Sequence, residues 1–135
     1  MKRLSEFLVE SIEKIPNAFV ILKPEFLNNE LEWKNMLRQN GWSILKSEKK
    51  TLSLDEAKEL YKPHKGKDFY KDLCKYMSSG PCIVASCYKD SNDPIKEMDN
   101  LKDKVREKWG KDDMKNAMHS SDSLENVKRE TDIVL

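Results

Sequence analysis

Ala18-Phe19-Val20-Ile21-Leu22 and Cys82-Ile83-Val84-Ala85-Ser86-Cys87-Tyr88 are the two stretches on which the fold turns. Each is a short, nearly continuous apolar run, the pattern of a buried strand rather than of a half-solvated one. We read both as central strands of one sheet. Between them, Leu31, Trp33 and Leu37 recur at helical spacing and stop at Asn40-Gly41, a good C-cap. Trp42 to Leu52 alternates loosely, as a second strand. Ser53-Leu54-Asp55-Glu56 is a capping box that opens a helix through Tyr61. Pro63-His64-Lys65-Gly66 is a turn, and Asp68 to Met77 a further helix with Phe69, Leu73 and Tyr76 on one face, broken by Ser78-Ser79-Gly80-Pro81. Beyond the second apolar run, Asp93-Pro94 starts a helix with an N-cap acid and a first-turn proline. Its stripe is Ile95, Met98, Leu101, Val105 and Trp109, and Gly110 ends it. A short strand and loop follow around His119. Asp122 with Glu125 makes a second capping box, ahead of a last helix begun by Leu124 and Val127.

Upstream, Leu4, Phe7, Leu8, Ile12 and Ile15 predict an N-terminal helix ended by Pro16-Asn17. The order is then helix, β-α-β, helices, β-α-β, helix. Two β-α-β halves sharing one sheet predict an α+β, ferredoxin-like sandwich: a four-stranded antiparallel sheet with helices on one face. No repeat, linker or low-complexity segment divides the chain, so we expect one domain over residues 1–135, with 1–16 as a helical extension.

Charge narrows the function classes. Lys+Arg 25 against Asp+Glu 24 leave a net charge of +1, which supplies no global field for nucleic acid or a membrane surface. Charged residues are 36% of the chain, but the apolar ones are periodically placed, as in a polar, folded protein. Cys74, Cys82 and Cys87 form no CxxC pair and read as free thiols of a reducing compartment, which points to a cytoplasmic protein. No apolar run is long enough to span a bilayer, and the first residues do not resemble a signal sequence.

The chemistry is scattered over element ends. There is no glycine-rich phosphate loop, dinucleotide fingerprint or metal-ligand cluster. What remains is Lys23 after the first strand, Tyr61 at a helix end, Arg106 in the long helix, then Asn116 and His119. Each alone is an ordinary surface or turn residue. Together they supply two cations, a phenol, an amide and an imidazole, a set suited to phosphoryl transfer through a phosphohistidine.

Four segments, in order from Ala18 to Glu130, resemble the nucleoside diphosphate kinase family. Phe19-Val20-Ile21-Leu22-Lys23-Pro24-Glu25 is similar to its first strand. Glu59-Leu60-Tyr61, and then Phe69 through Pro81, resemble its helical hairpin and lysine-tyrosine-methionine…serine-glycine-proline signature. Asn116-Ala117-Met118-His119-Ser120-Ser121-Asp122-Ser123 resembles its active-site motif. The resemblance implies that His119 is the nucleophile, taking the γ-phosphoryl of a nucleoside triphosphate and passing it to a diphosphate. It implies that Glu130 fixes the imidazole tautomer and that Ser121 supports Glu130 or the ring. Lys23 and Tyr61 would contact the transferring phosphoryl, Arg106 would neutralise phosphate charge, and Asn116 would bind near the sugar 3′-hydroxyl. Phe69 would stack on the base with Leu73 beside it. Mg²⁺ would arrive bridging nucleotide phosphates.

The chain also departs from the family pattern. Ser120 stands where glycine or alanine is usual. Asp113 lies near a usually apolar position on the other side of the base, and Asn28-Asn29 replaces a glycine-containing turn. The long loop before the histidine motif is missing, replaced by the helix from Pro94 to Trp109. With it go a threonine and a second phosphate-binding arginine, for which Lys96 or Lys102 is the available substitute. The resemblance then implies either a kinase with a reduced phosphate cradle or a nucleotide-binding or protein-interaction module on the same fold. It also implies a homodimer, with the hexamer common in the family in doubt because the missing loop contributes to it.

Overall fold

The computed structural model describes residues 15–135, so the predicted helix over Leu4 to Ile15 falls outside the described residues apart from its last one. Four strands form one antiparallel sheet: β1 (Ala18–Leu22), β2 (Ser43–Lys50), β3 (Cys82–Tyr88) and β4 (Met118–Ser120), in the spatial order β2-β3-β1-β4. Among the described residues five α-helices join and flank them: α1 (Glu30–Gln39), α2 (Leu54–Leu60), α3 (Tyr70–Met77), α4 (Pro94–Trp109) and α5 (Leu124–Val134). This is the expected ferredoxin-like topology, with the two apolar runs paired at its centre, Val20 opposite Ala85.

Both faces of the sheet are covered. The crossover helices α1 and α4 share one face, as expected, where Trp33, Leu37, Met98, Leu101 and Val105 pack on Val20, Leu22 and Ala85. The other face carries α2, α3 and α5, whose Leu60, Leu73, Met77 and Val127 pack on Phe19, Ile21 and Val84. The expectation of helices on one face therefore describes half of the sandwich. Double coverage explains why β1 is buried at every position and reads as an unbroken apolar run. β2, at the edge, has no buried residue, being exposed or half-buried throughout, and carries a bulge between Ile44 and Lys46.

Local signals explain most boundaries. Ser53 caps α2, with Glu56 returning the bond to its backbone N–H. Asp93 caps α4 by accepting from Lys96 N. Gly41, at φ +88°, turns the chain out of α1 in a conformation that a side chain would strain. Gly110 is needed for space: a Cβ there would lie 2.5 Å from the Arg106 carbonyl oxygen and 3.3 Å from Asn116 Cα.

Of the boundaries that differ from the sequence reading, two bear on the site. The helix expected from Asp68 begins at Tyr70, which leaves Phe69 just outside it and 44% exposed. The cap of α5 is Ser123, whose Oγ accepts from Asn126 N at 3.1 Å; Asp122, the expected cap, accepts instead from the Asn126 side chain at 2.6 Å. Ser123 holds the extended backbone that an N-cap requires (φ −156°, ψ 159°), so the capping frame moves by one residue.

Candidate active site

Alternation along β1 decides which side chains meet. Phe19 and Ile21 face α2, α3 and α5, and the next odd position, Lys23, leaves the strand end on that side. In β4, His119 lies opposite Ile21 and so shares this face. β4 is only three residues long and forms the sheet edge, so α4 can reach around it from the other layer. Arg106 does so, donating from Nε to the Met118 carbonyl at 3.1 Å. A cavity of about 580 Å³ opens at this edge and is lined by Lys23, Tyr61, Phe69, Leu73, Arg106, Asn116, His119 and Glu130. Those residues come from the C-terminal ends of β1 and α2, from α3 and the residue before it, and from α4, the loop before β4, β4 and α5.

The centre of the cavity is a short imidazole–carboxylate pair. His119 Nε2 lies 2.5 Å from Glu130 Oε1, and their side chains are 15% and 5% exposed. Among the described residues the ring's only hydrogen bond is at Nε2, which leaves Nδ1 of this cavity-lining residue without a partner. Burial holds the imidazole pKa below its ordinary value, the bond to Glu130 and its charge oppose this, and Lys23 and Lys102 push it further down. The ring is thereby favoured as the neutral tautomer with Nε2–H toward the carboxylate and a lone pair on Nδ1. That is the state of a nitrogen nucleophile.

Around it sit polar groups whose hydrogen-bonding capacity the described residues satisfy in part or not at all. Tyr61, at the C-terminal end of α2, packs edge-on to His119 with ring centroids 5.4 Å apart. Its hydroxyl is buried and has no partner among the described residues, and burial raises its pKa well above the ordinary value. Asn116 donates to the Asp113 carbonyl while its own Oδ1 is buried and has no partner among the described residues. Buried polar atoms without partners are costly, about 1–3 kcal/mol each, and here two of them line a cavity. Lys23 is 4% exposed; it donates to the Met114 carbonyl at 3.2 Å. Burial, then Arg106 and Lys102, lower its pKa to about 7, against a smaller pull upward from Asp112. The turn after Lys23 is held by Tyr76, whose hydroxyl donates to the Pro24 carbonyl at 2.6 Å.

Ser121 departs from its expected role. Its Oγ is buried but bonds neither Glu130 nor the imidazole, while its backbone N–H donates to Phe19 O. Phe69 stands at the cavity mouth against His64, with centroids 5.4 Å apart, and with Lys67 Nζ 5.8 Å from its ring; Leu73 is buried behind it. Of the two lysines considered as substitutes, Lys102 lines the cavity and Lys96 does not.

His64 and Arg129 line the site without any sequence motif marking them. His64 lies three residues beyond Tyr61 in a 3-10 turn and stacks on it, so that spacing is a usable signal. Arg129 donates to the Glu59 and Leu60 carbonyls, tying α5 to the end of α2 that carries Tyr61. Among the described residues no group of three or more His, Cys, Asp or Glu could hold a metal ion. No described helix is long and apolar enough to cross a membrane.

Known proteins share this arrangement of chain and fold. The sequence profile described as nucleoside diphosphate kinase matches residues 16–135. The chain is 31% identical over 129 residues to a nucleoside diphosphate kinase of Kosmotoga olearia, covering 86% of each. It is 34% identical over 127 residues to one of Methanococcus maripaludis, covering 86% of this chain and 95% of that one. The crystal structure of the Aquifex aeolicus nucleoside diphosphate kinase superposes with a TM-score of 0.72 at 27% identity, covering 87% of this chain and 93% of that one. With the profile spanning every described strand and helix, the chain belongs to the nucleoside diphosphate kinase family.

Proposed function

We propose that the chain is a working nucleoside diphosphate kinase that transfers the γ-phosphoryl of a nucleoside triphosphate to a nucleoside diphosphate through a phosphohistidine at His119. The observation that carries the reading is the Nε2–Glu130 bond, which leaves the Nδ1 lone pair toward the cavity. In the first half-reaction Nδ1 attacks the γ-phosphorus and the bond to the β,γ-bridging oxygen breaks. The nucleoside diphosphate leaves with that electron pair. In the second, a terminal oxygen of another diphosphate attacks the same phosphorus and the N–P bond breaks, restoring the lone pair. Throughout, Nε2–H stays on the Glu130 carboxylate, which offsets the positive charge that phosphorylation puts on the ring.

Lys23 and the Tyr61 hydroxyl donate to the transferring phosphoryl, Arg106 neutralises the phosphate chain, and Asn116 Oδ1 accepts from the sugar. Phe69 offers a ring face to the base, with Leu73 packed behind it. Mg²⁺ fits this site as a companion of the nucleotide: among the described residues no group of three or more carboxylates, histidines or cysteines could cage it, so the phosphate oxygens would hold it, and it would neutralise part of their charge.

The test is to incubate the protein with γ-labelled ATP. An acid-labile, alkali-stable label that disappears on adding a nucleoside diphosphate is expected, and it should be absent in His119→Ala. No label on the native protein, or an unchanged label on the variant, overturns the reading.

A further inference from the structure

Three cations converge on the cavity, and the acids that act on them are Asp112 for Lys23 and Asp103 and Asp99 for Arg106. Lys102 and Arg106 stand one turn apart on the same flank of α4, and Lys23 reaches the same cavity from β1. Like charges at this helical spacing repel, and two of the three are also buried at a cost: desolvation is the largest cause lowering both Lys23 and Arg106. Lys102 has one ion-pair partner among the described residues, Asp99, at 2.6 Å and three positions back along the helix. Its side chain is 15% exposed whereas that of Asp99 is 55% exposed, so the lysine is turned inward and the acid outward. A helical i,i+3 pair whose acid is more than half exposed is weak and readily exchanged.

We propose that Lys102 is a phosphate ligand of the nucleotide, held in reserve by Asp99 and transferred from that carboxylate to the phosphate chain when a di- or triphosphate enters. The inference rests on the nucleotide-binding reading above and adds a residue to it. A cluster of three cations matches the charge of two or more linked phosphates rather than one. Two polar atoms beside the cluster that have no partner among the described residues, the Tyr61 hydroxyl and Asn116 Oδ1, are an independent sign that the cavity is completed by a polar ligand. Lys102 is a point charge without the fork of arginine, so it adds attraction to the chain of phosphates more than it fixes one geometry.

The test is calorimetric titration of the full chain with Mg-ADP and with AMP, with Mg-GDP run in parallel, on the native protein, Lys102→Met, Lys102→Arg and Asp99→Asn. Lys102→Met is expected to weaken the diphosphates roughly tenfold while moving AMP little, so the preference for two phosphates over one shrinks by about that factor. Lys102→Arg should recover most of it. Asp99→Asn should bind the diphosphates as tightly as the native protein or about twofold tighter, since it releases the lysine. Unchanged diphosphate binding in Lys102→Met, or equal losses for ADP and AMP, overturns the proposal. So does a loss in Asp99→Asn comparable to that of Lys102→Met, which would make the pair a structural brace. Failure of the native protein to bind any of the nucleotides would instead overturn the nucleotide-binding reading itself. A thermal melt of each variant separates loss of fold from loss of a ligand.

Discussion

Lys23 gives the site a pH dependence that can be worked out in advance. Its ammonium is charged in half of the molecules at pH 7, because burial and its cationic neighbours bring the pKa down to about 7. A phosphate chain selects the charged form, and the nucleotide's own terminal phosphate is already ionised above roughly pH 6. Affinity for a nucleoside diphosphate should then fall as the charged fraction falls, by roughly fifty-fold between pH 7 and pH 9. Binding should also take up protons in that interval, which calorimetry in buffers of different ionisation enthalpy measures directly. Stability moves the other way. The folded-state pKa is below the unfolded one, so the destabilisation is complete under pH 7 and lifts as the pH rises towards 10.5. Between pH 7 and 9 this amounts to about 2 kcal/mol as an upper figure, read as a rising melting temperature of the ligand-free protein relative to Lys23→Met. Affinity that stays flat from pH 7 to 9, or a slope that persists in Lys23→Met, would refute the assignment of the titration to this lysine.

Two further outcomes follow from bonds within the site. Glu130→Gln keeps a group that can accept from Nε2 but removes the charge opposite the ring. The rate of histidine phosphorylation should drop by roughly 10- to 150-fold, the equivalent of about 1.5–3 kcal/mol, in a quench-flow measurement, with fold and nucleotide binding retained. Tyr76→Phe removes the donor to the Pro24 carbonyl and leaves that oxygen buried without it, so urea unfolding should show a loss of about 1–3 kcal/mol and weaker diphosphate binding through Lys23; a variant as stable as the native protein would show that the turn does not depend on this bond.

Much of the architecture is legible in the residues, and the gaps have physical causes. The unbroken runs at Ala18–Leu22 and Cys82–Tyr88 announce central strands, and the caps at Ser53 and Asp93 mark helix starts, because both signals are local. The second helical layer is not local. That α2, α3 and α5 cover the face opposite α1 and α4 depends on which odd positions of β1 meet which helices. His119, Glu130, Lys23, Tyr61, Arg106 and Asn116 do converge, as the motif resemblance implies. Choosing Lys102 over Lys96 needs the helical phase of α4 against the sheet edge, which sequence spacing supplies only once the edge strand is placed. Ser121 is the opposite case: its place in the motif suggests a bond to Glu130 or the imidazole, but its Oγ makes neither.

The position of β1 has a consequence for how the chain is made. It pairs with β3 on one side and β4 on the other, so its last neighbour is Met118–Ser120, close to a hundred residues downstream. At a synthesis rate of about 5–20 residues per second, the apolar Ala18–Leu22 segment would wait roughly 5–20 s for that edge to be covered. A bare, fully apolar strand edge is a template for pairing between chains. Newly made protein should therefore be most prone to aggregation just before residues 118–120 emerge, and chains truncated before β4 should be less soluble than the complete one.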